Sequence, residues 1–345
     1  MPFGYHGKIL RVNLSKNEVW IEEKDEHFYR RYMGGGALGS YYVLKNVKPG
    51  TAAFDPDNVI VFGGSVVSGA RIAGFTRHSI TSVSPLTGGI VDSEAGGFWA
   101  RELKAAGFDA VVVQGKAEKP VYLWLNNGKA EIKDASHLWG KVTGDLQDII
   151  RKENNDLKIR VLGIGPAGEN KVRYACVVNE LKNVNGRGGH GAVMGSKNLK
   201  AIAVRGNMFP ELADPDKVKE ISQSFVKKFL HFPGSRELHK GGTSRLINSQ
   251  SKTSQLPTYN WKTGNFEEAY EISGAKIMET IFDGDEGCYA CPIVCKKKVR
   301  LVSLIILTPS TADRNTSLLP LLAHIPEYLI CMLFARLMSY VTKIR

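Results

Sequence analysis

Apolar and polar residues alternate along Lys8 to Leu14 and again along Glu18 to Glu22, on either side of Ser15-Lys16-Asn17, which predicts a β-hairpin. A second hairpin is predicted where Val121 to Leu125 and Ala130 to Lys133 flank Asn127-Gly128. That dipeptide readily supplies the two positive φ angles of a type I′ turn. Val59 to Phe62, His78 to Val83 and Ala110 to Val113 read as further strands, whereas Gly97 to Ala106 and Val142 to Glu153 carry helical spacing. Ile159 to Arg205 return to a strand-like pattern. Asp214 then caps, and Pro215 opens, a helix running to about Phe229.

Gly234 to Gly264 is rich in Gly, Ser, Thr and Asn and is expected to be irregular. Beyond Arg300, the apolar clusters Leu301 to Leu307, Leu318 to Leu322 and Leu329 to Leu333 are broken by Pro309, Pro320 and Pro326. Glu327 and Arg336 interrupt the longest apolar stretch, which falls short of the roughly 20 residues a spanning helix needs. No membrane segment is therefore expected. The pattern as a whole predicts an α+β chain in three parts: a mostly β domain over 1–210, the beginning of a helical domain over 211–300, and a divergent tail over 301–345.

With 345 residues, 43% hydrophobic and 23% charged, the composition is that of a soluble globular protein. Met1 to Lys8 lacks a basic region followed by an apolar run, so no secretory signal is read and a cytoplasmic location is expected. The net charge of +12 invites a polyanion partner, but the basic residues are scattered. Only Lys296-Lys297-Lys298 forms a tight run, and no nucleic-acid reader motif accompanies it. Neither nucleic acid nor membrane is expected as a partner; positive surface suits an acidic electron carrier or anionic cofactor groups.

Five cysteines in a chain this long do not make a disulfide framework, and three of them fall in Cys288-Tyr-Ala-Cys291-Pro-Ile-Val-Cys295. Thiolates at this spacing can wrap one corner of an iron–sulfur core, with a fourth, distant ligand. Zinc is the alternative, but it usually takes paired knuckles, and no second knuckle is present. Cys176 and Cys331 read as small buried hydrophobes. Gly186 to Lys200 is a glycine-rich run leading into an apparent helix and strand, and it could cradle phosphate with Arg187 or simply form a tight turn. Gly163-Ile-Gly-Pro-Ala-Gly168 matches a dinucleotide fingerprint in letters only, because Pro166 interrupts it and no helical pattern follows, so it reads as a turn. Arg71, Arg77 and the Glu94-Ala-Gly96-Gly97 run before Trp99 are weaker candidates for a ligand contact. The histidines show no catalytic spacing.

In this order, the runs resemble the aldehyde ferredoxin oxidoreductase family over residues 3 to 298. The similarity is carried by Gly7-Lys-Ile-Leu-Arg-Val-Asn-Leu14, Ser84-Pro-Leu-Thr-Gly88, Ala106-Gly-Phe-Asp-Ala110, Gly115-Lys-Ala-Glu-Lys-Pro-Val-Tyr122, Ile164-Gly-Pro-Ala-Gly-Glu-Asn170, Gly191 to Ile202 and Cys288-Tyr-Ala-Cys-Pro-Ile293. The resemblance implies an amino-terminal domain of two β-sheets under a tungsten or molybdenum bis-pterin, closed over by largely helical domains. It further implies a [4Fe–4S] cluster beside the pterin and a magnesium ion on the pterin phosphates. Arg77 then stands as a phosphate contact, and Glu94, Gly96, Gly186 and Arg187 fall at pterin-site positions. Val184 offers its carbonyl to magnesium, and Cys288, Cys291 and Cys295 are the first three cluster ligands.

The implied reaction is oxidation of a small aldehyde to a carboxylic acid with ferredoxin as electron acceptor, and a homodimer is compatible with it. Two positions depart from the family: Asn183 stands where an arginine is often found, and Glu94 where asparagine is common. After Arg300 the family's remaining pattern, with its metal-site acid and histidine, is not recognisable, so no catalytic residue is named and the chain is read as truncated. The alternatives are a reductive tungsten-pterin subunit of the benzoyl-CoA reductase type and a non-catalytic remnant.

Overall fold

The computed structural model describes residues 3–259 and 261–300, and the chain divides between Glu220 and Ile221 into two compact units. In the first unit the alternation of side chains builds two six-stranded sheets. One holds β1 (Lys8–Asn13), β2 (Glu18–Glu23), β3 (Ile60–Gly64), β4 (His78–Val83), β5 (Ile90–Ala95) and β6 (Ala110–Gln114), in the order β2-β1-β6-β3-β4-β5. The other holds β7 (Val121–Asn126), β8 (Lys129–Asp134), β9 (Arg160–Gly163), β10 (Val177–Asn179), β11 (Asn183–Asn185) and β12 (Leu199–Arg205), in the order β11-β10-β9-β12-β7-β8. β1 pairs with β6, and β12 with β7, in parallel; the other neighbours run antiparallel.

Both predicted hairpins form. Asn127 and Gly128 adopt φ of 46° and 79°, as a type I′ turn requires. Six helices accompany the sheets: α1 (Glu26–Tyr32), α2 (Gly35–Asn46), α3 (Trp99–Ala105), α4 (Thr143–Glu153), α5 (Pro166–Glu169) and α6 (His190–Ser196). α5 lies within a stretch whose pattern predicts strands, whereas α6 is the helix expected after the glycine-rich run. The central strands are buried on both faces, so alternate residues enter different cores. In β6, Val111 and Val113 join a core shared with Ile202 and Val204 of β12, while Ala110 and Val112 face Leu38 and Tyr42 of α2. Ala201 and Ala203 of β12 point the other way, onto Leu146 and Ile150 of α4. α3 packs on both β3 and β12, and α6 on both β4 and β12, so these two helices fill the space between the sheets. Trp99 is fully buried there and its indole N–H donates to the Ile202 carbonyl at 3.2 Å.

α7 (Pro215–Lys228) carries the chain across the division, and the Asp214 carboxylate accepts from Lys217 N at 2.8 Å as the predicted cap. The second unit contains α8 (Pro233–Gly241), α9 (Ile247–Lys252), α10 (Gly274–Thr280) and a hairpin of β13 (Phe282–Glu286) with β14 (Lys296–Val299). Helical turns therefore occupy much of Gly234 to Gly264, correcting the expectation of irregular chain. Among the described residues no helix is long and apolar enough to cross a membrane.

Candidate cofactor site and cysteine loop

β5 forms one edge of the first sheet, β11 one edge of the second, and the two edges pack together. Asn185 of β11 makes the joint. Its Nδ2 donates to the Ser93 carbonyl at 2.7 Å, which leaves Oδ1 to accept from His78 Nε2 at 2.9 Å. Arg187 N donates to Ser93 Oγ at 3.3 Å beside them. His78 lies against Trp99, with ring centroids 5.0 Å apart, and burial pushes its pKa down to about 4.

Around this joint the strand period turns charged neighbours outward. Arg77 precedes β4, Glu94 lies opposite Ser79 in the β4–β5 ladder, and Arg77 Nη1 sits 3.5 Å from Glu94 Oε2 with both side chains mostly exposed. Val184 is half-buried between buried Asn183 and Asn185, as alternation along β11 demands. Gly186 is partly exposed, and Arg187 is exposed with Nη1 donating to the Gly186 carbonyl at 3.3 Å. Two arginines, a carboxylate and open backbone thus share the junction of β4, β5 and β11.

Asn183 is not part of that exposed rim. It is 3% exposed, and its Nδ2 donates to Glu180 Oε2 at 3.1 Å. The same oxygen accepts from Phe98 N and from Asn179 Nδ2, each at 3.0 Å, and Asn179 Nδ2 also reaches the Gly96 carbonyl at 3.0 Å. Burial raises the Glu180 pKa, with the Phe98 amide and nearby Arg160 opposing it. Glu180 and Leu181 both have positive φ, 49° and 64°, in the turn joining β10 to β11. No spacing rule singles out Glu180; its neighbours Asn179 and Asn183 acquire meaning only once the turn is folded.

The glycine motifs serve close packing. Gly163-Ile-Gly-Pro-Ala-Gly168 ends β9 and turns through the single-turn helix α5, so it is the turn the sequence predicts. A Cβ on Gly195 would lie 1.9 Å from the Gly168 carbonyl, and one on Gly168 would lie 2.8 Å from the Gly191 carbonyl. The glycines of α6 therefore let α5 approach its backbone, which accounts for them without a phosphate.

In the second unit the cysteine run caps the β13–β14 hairpin. Cys288, Cys291 and Cys295 are partly buried, Cys291 N donates to the Cys288 carbonyl at 3.2 Å, and Ala290 and Val294 turn the loop with φ of 54° and 43°. Burial pushes the Cys291 thiol up, as do its neighbours Cys288 and Cys295, while amides of Ile293 and Val294 aimed at its sulfur act in the opposite sense. His239 Nδ1 lies 3.0 Å from the Ile293 carbonyl and holds the loop against α8. Lys298 pairs with Glu286 at 3.2 Å and Lys297 pairs with Asp285, so part of the basic run is neutralised by the facing strand.

Residues 9–206 match the family model "Aldehyde ferredoxin oxidoreductase, N-terminal domain", and residues 220–338 match "Aldehyde ferredoxin oxidoreductase, domains 2 & 3". The chain belongs to the aldehyde ferredoxin oxidoreductase family. The tungsten-containing aldehyde ferredoxin oxidoreductase of Pyrococcus horikoshii is 41% identical over 303 residues, covering 88% of this chain and 50% of the relative. An aliphatic sulfonate oxidoreductase, WOR-like subunit, of Pyrococcus furiosus is 32% identical over 313 residues, 86% of this chain and 49% of the relative. Among solved structures, the active-site complex BamBC of benzoyl coenzyme A reductase with 1,5-dienoyl-CoA aligns with a TM-score of 0.76 at 30% identity. That alignment covers 88% of this chain and 48% of the other. The chain spans about half the length of the curated relatives it matches.

The donor groups suit what the aldehyde ferredoxin oxidoreductase family implies. Exposed guanidiniums of Arg77 and Arg187 suit phosphate oxygens, and Glu94 with the Val184 carbonyl supplies oxygen donors of the kind magnesium takes. Among the described residues no three His, Cys, Asp or Glu side chains converge on one metal ion. A cubane cluster instead takes one thiolate at each of several irons, a wider arrangement than a single-ion site.

Proposed function

We propose that this chain supplies the pterin-binding base and three cluster thiolates of a tungsten (or molybdenum) oxidoreductase that converts small aldehydes to carboxylic acids and passes electrons to ferredoxin. The observation that carries the reading is the junction of β4, β5 and β11, which gathers Arg77, Glu94, Gly186 and Arg187 in the part of the chain that matches the family's N-terminal domain. When bound, the metal–pterin group supplies two-electron exchange with the substrate.

The chain's own residues bind and orient. Arg77 and Arg187 would neutralise the phosphates, Glu94 and the Val184 carbonyl would offer oxygen donors to magnesium, and Gly96 and Gly186 would let the cofactor approach the backbone. Cys288, Cys291 and Cys295 hold three corners of a [4Fe–4S] cluster, with the amides of Ile293 and Val294 directed at Cys291. A second reading, reductive acyl-CoA chemistry, is favoured by the likeness to the benzoyl coenzyme A reductase complex on the same fold.

Anaerobic expression with tungstate tests both. Tungsten, magnesium and an acid-released pterin retained by the chain support the cofactor reading, and retention of none overturns it. In the protein assembled with the family's remaining domains, aldehyde-dependent reduction of ferredoxin with dienoyl-CoA inert favours the first chemistry. The converse favours the second. Cofactor retention without either turnover would mark a non-catalytic remnant.

A further inference from the structure

We propose that Glu180 is a positioning residue: its buried carboxylate pins the Gly96–Phe98 turn to the Asn183–Gly186 segment and so fixes the spacing of the rim on which the cofactor phosphates rest. The proposal rests on the cofactor reading above only for its consequence, since the pin itself is a matter of geometry. Glu180 Oε2 accepts three hydrogen bonds, from Phe98 N and Asn179 Nδ2 at 3.0 Å and from Asn183 Nδ2 at 3.1 Å. These donors come from both sides of the sheet junction. Phe98 follows Gly96-Gly97 at the start of α3, while Asn179 and Asn183 end β10 and begin β11.

Three further observations show that the arrangement is specific. Gly97 has a φ of 105°, and a Cβ there would lie 2.2 Å from Glu180 Oε2, so only glycine lets the turn come this close. Glu180 and Leu181 hold the left-handed conformation, which L-residues avoid unless the surroundings over-determine it. The Arg160 guanidinium lies 4.5 Å from the centroid of the Phe98 ring, so the residue whose amide Glu180 accepts is also held through its side chain. Neither Gly96 nor Gly186 has a side chain with which to fix its own place. The spacing between them is therefore set by groups behind the rim, and Glu180 bonds to both segments.

The experiment uses the full 345-residue chain as wild type, Glu180→Ala and Glu180→Gln. The glutamine carbonyl can still accept from Phe98 N and Asn183 Nδ2, the two bonds that link the segments, whereas alanine accepts none. Hydrogen exchange is followed at Phe98 and over 183–187, with the β3 and β6 amides as the internal reference. Binding of magnesium pyrophosphate is titrated in parallel. Glu180→Ala is expected to speed exchange at Phe98 and over 183–187 by about tenfold or more, with β3 and β6 unchanged, and to weaken pyrophosphate binding about tenfold. Glu180→Gln is expected to restore both. Unchanged exchange at Phe98, a uniform rise across all amides, or no rescue by glutamine overturns the pin. Locally faster exchange with undiminished pyrophosphate binding overturns the positioning role. If wild type binds no pyrophosphate, the cofactor reading of the rim and the proposed consequence fail together, and exchange alone decides the pin.

Discussion

His78 Nε2 lies 2.9 Å from Asn185 Oδ1, and this hydrogen bond ties a strand of the first sheet to the edge strand of the second. Asn185 also donates to the Ser93 carbonyl at 2.7 Å, so one buried amide closes the seam with both of its ends. Asn185→Ala removes both contacts and is expected to cost about 2–4 kcal/mol. Urea unfolding monitored by tryptophan fluorescence measures it, and a loss below about 0.5 kcal/mol, the range of ordinary surface changes, would remove this seam from the account.

Burial pushes the His190 pKa down to about 4. The unfolded chain therefore takes up a proton on this ring near pH 6.5, while the folded one resists until about pH 4, so stability falls with pH between those values. Between pH 7 and pH 5, wild type is expected to lose about 2 kcal/mol more than His190→Gln. Equal losses in the two proteins would show that the ring protonates normally in the folded state.

Gly195→Ala would drive a Cβ to 1.9 Å from the Gly168 carbonyl, a backbone atom with little room to move. A loss of about 3 kcal/mol, or failure to fold, is expected. Gly144 in α4 is the contrasting case: a Cβ there meets nothing within 4 Å. Gly144→Ala should gain roughly 0.5 kcal/mol from the reduced freedom of the unfolded chain. Thermal melts of the two variants should shift in opposite directions.

The exposed Arg77–Glu94 pair at 3.5 Å contributes little to folding, so Arg77→Ala and Glu94→Gln are each expected to change stability by less than about 0.5 kcal/mol. Their effect on anions differs in sign. Arg77→Ala should weaken pyrophosphate binding about tenfold, with or without magnesium. Glu94→Gln should tighten pyrophosphate alone, by removing like charge, and weaken it when magnesium is present. Calorimetric titration with and without the cation distinguishes the two, and matching effects of Glu94→Gln in both conditions would rule out the proposed contact of Glu94 with magnesium.

Three cysteines in one loop leave a cubane one thiolate short. Anaerobic reconstitution of the chain with ferrous iron and sulfide should give visible charge-transfer absorption that an iron chelator strips readily. Cys288→Ser, Cys291→Ser and Cys295→Ser should each diminish it. Absorption that resists the chelator would mean that a fourth ligand is already engaged.

Elements with strong local signals were legible in the sequence, and those set by tertiary contact were not. Asn127-Gly128 dictates its turn and Asp214-Pro215 its helix start, and both form as predicted. β5 carries Asp92, Ser93 and Glu94, too polar to read as a strand, and it pairs only because β4 offers its full length. α2 begins Gly35-Gly36 and contains Gly39, residues that weaken a helix pattern. A Cβ on Gly39 would lie 2.1 Å from Thr81 Oγ1, so that glycine answers to the sheet rather than to the helix. At the candidate site, the exposed Arg77, Glu94 and Arg187 were visible through family likeness. The buried Glu180, His78 and Asn185 behind them were not, because their meaning lies in partners across the seam.

The parallel pairing of β1 with β6 joins Ile9 to Ala110, and Lys8 N reaches Asp109 across a separation of 101 residues. During synthesis at about 5–20 residues per second, the β1–β2 hairpin waits roughly 5–20 s for its central partner to be made. Throughout that interval β1 presents an open edge flanked by Val19, Trp20 and Ile21, which stay partly exposed even in the finished fold. Nascent-chain crowding and chaperone supply therefore bear most heavily on the first hundred or so residues, before β11 and its neighbours Gly186 and Arg187 are made.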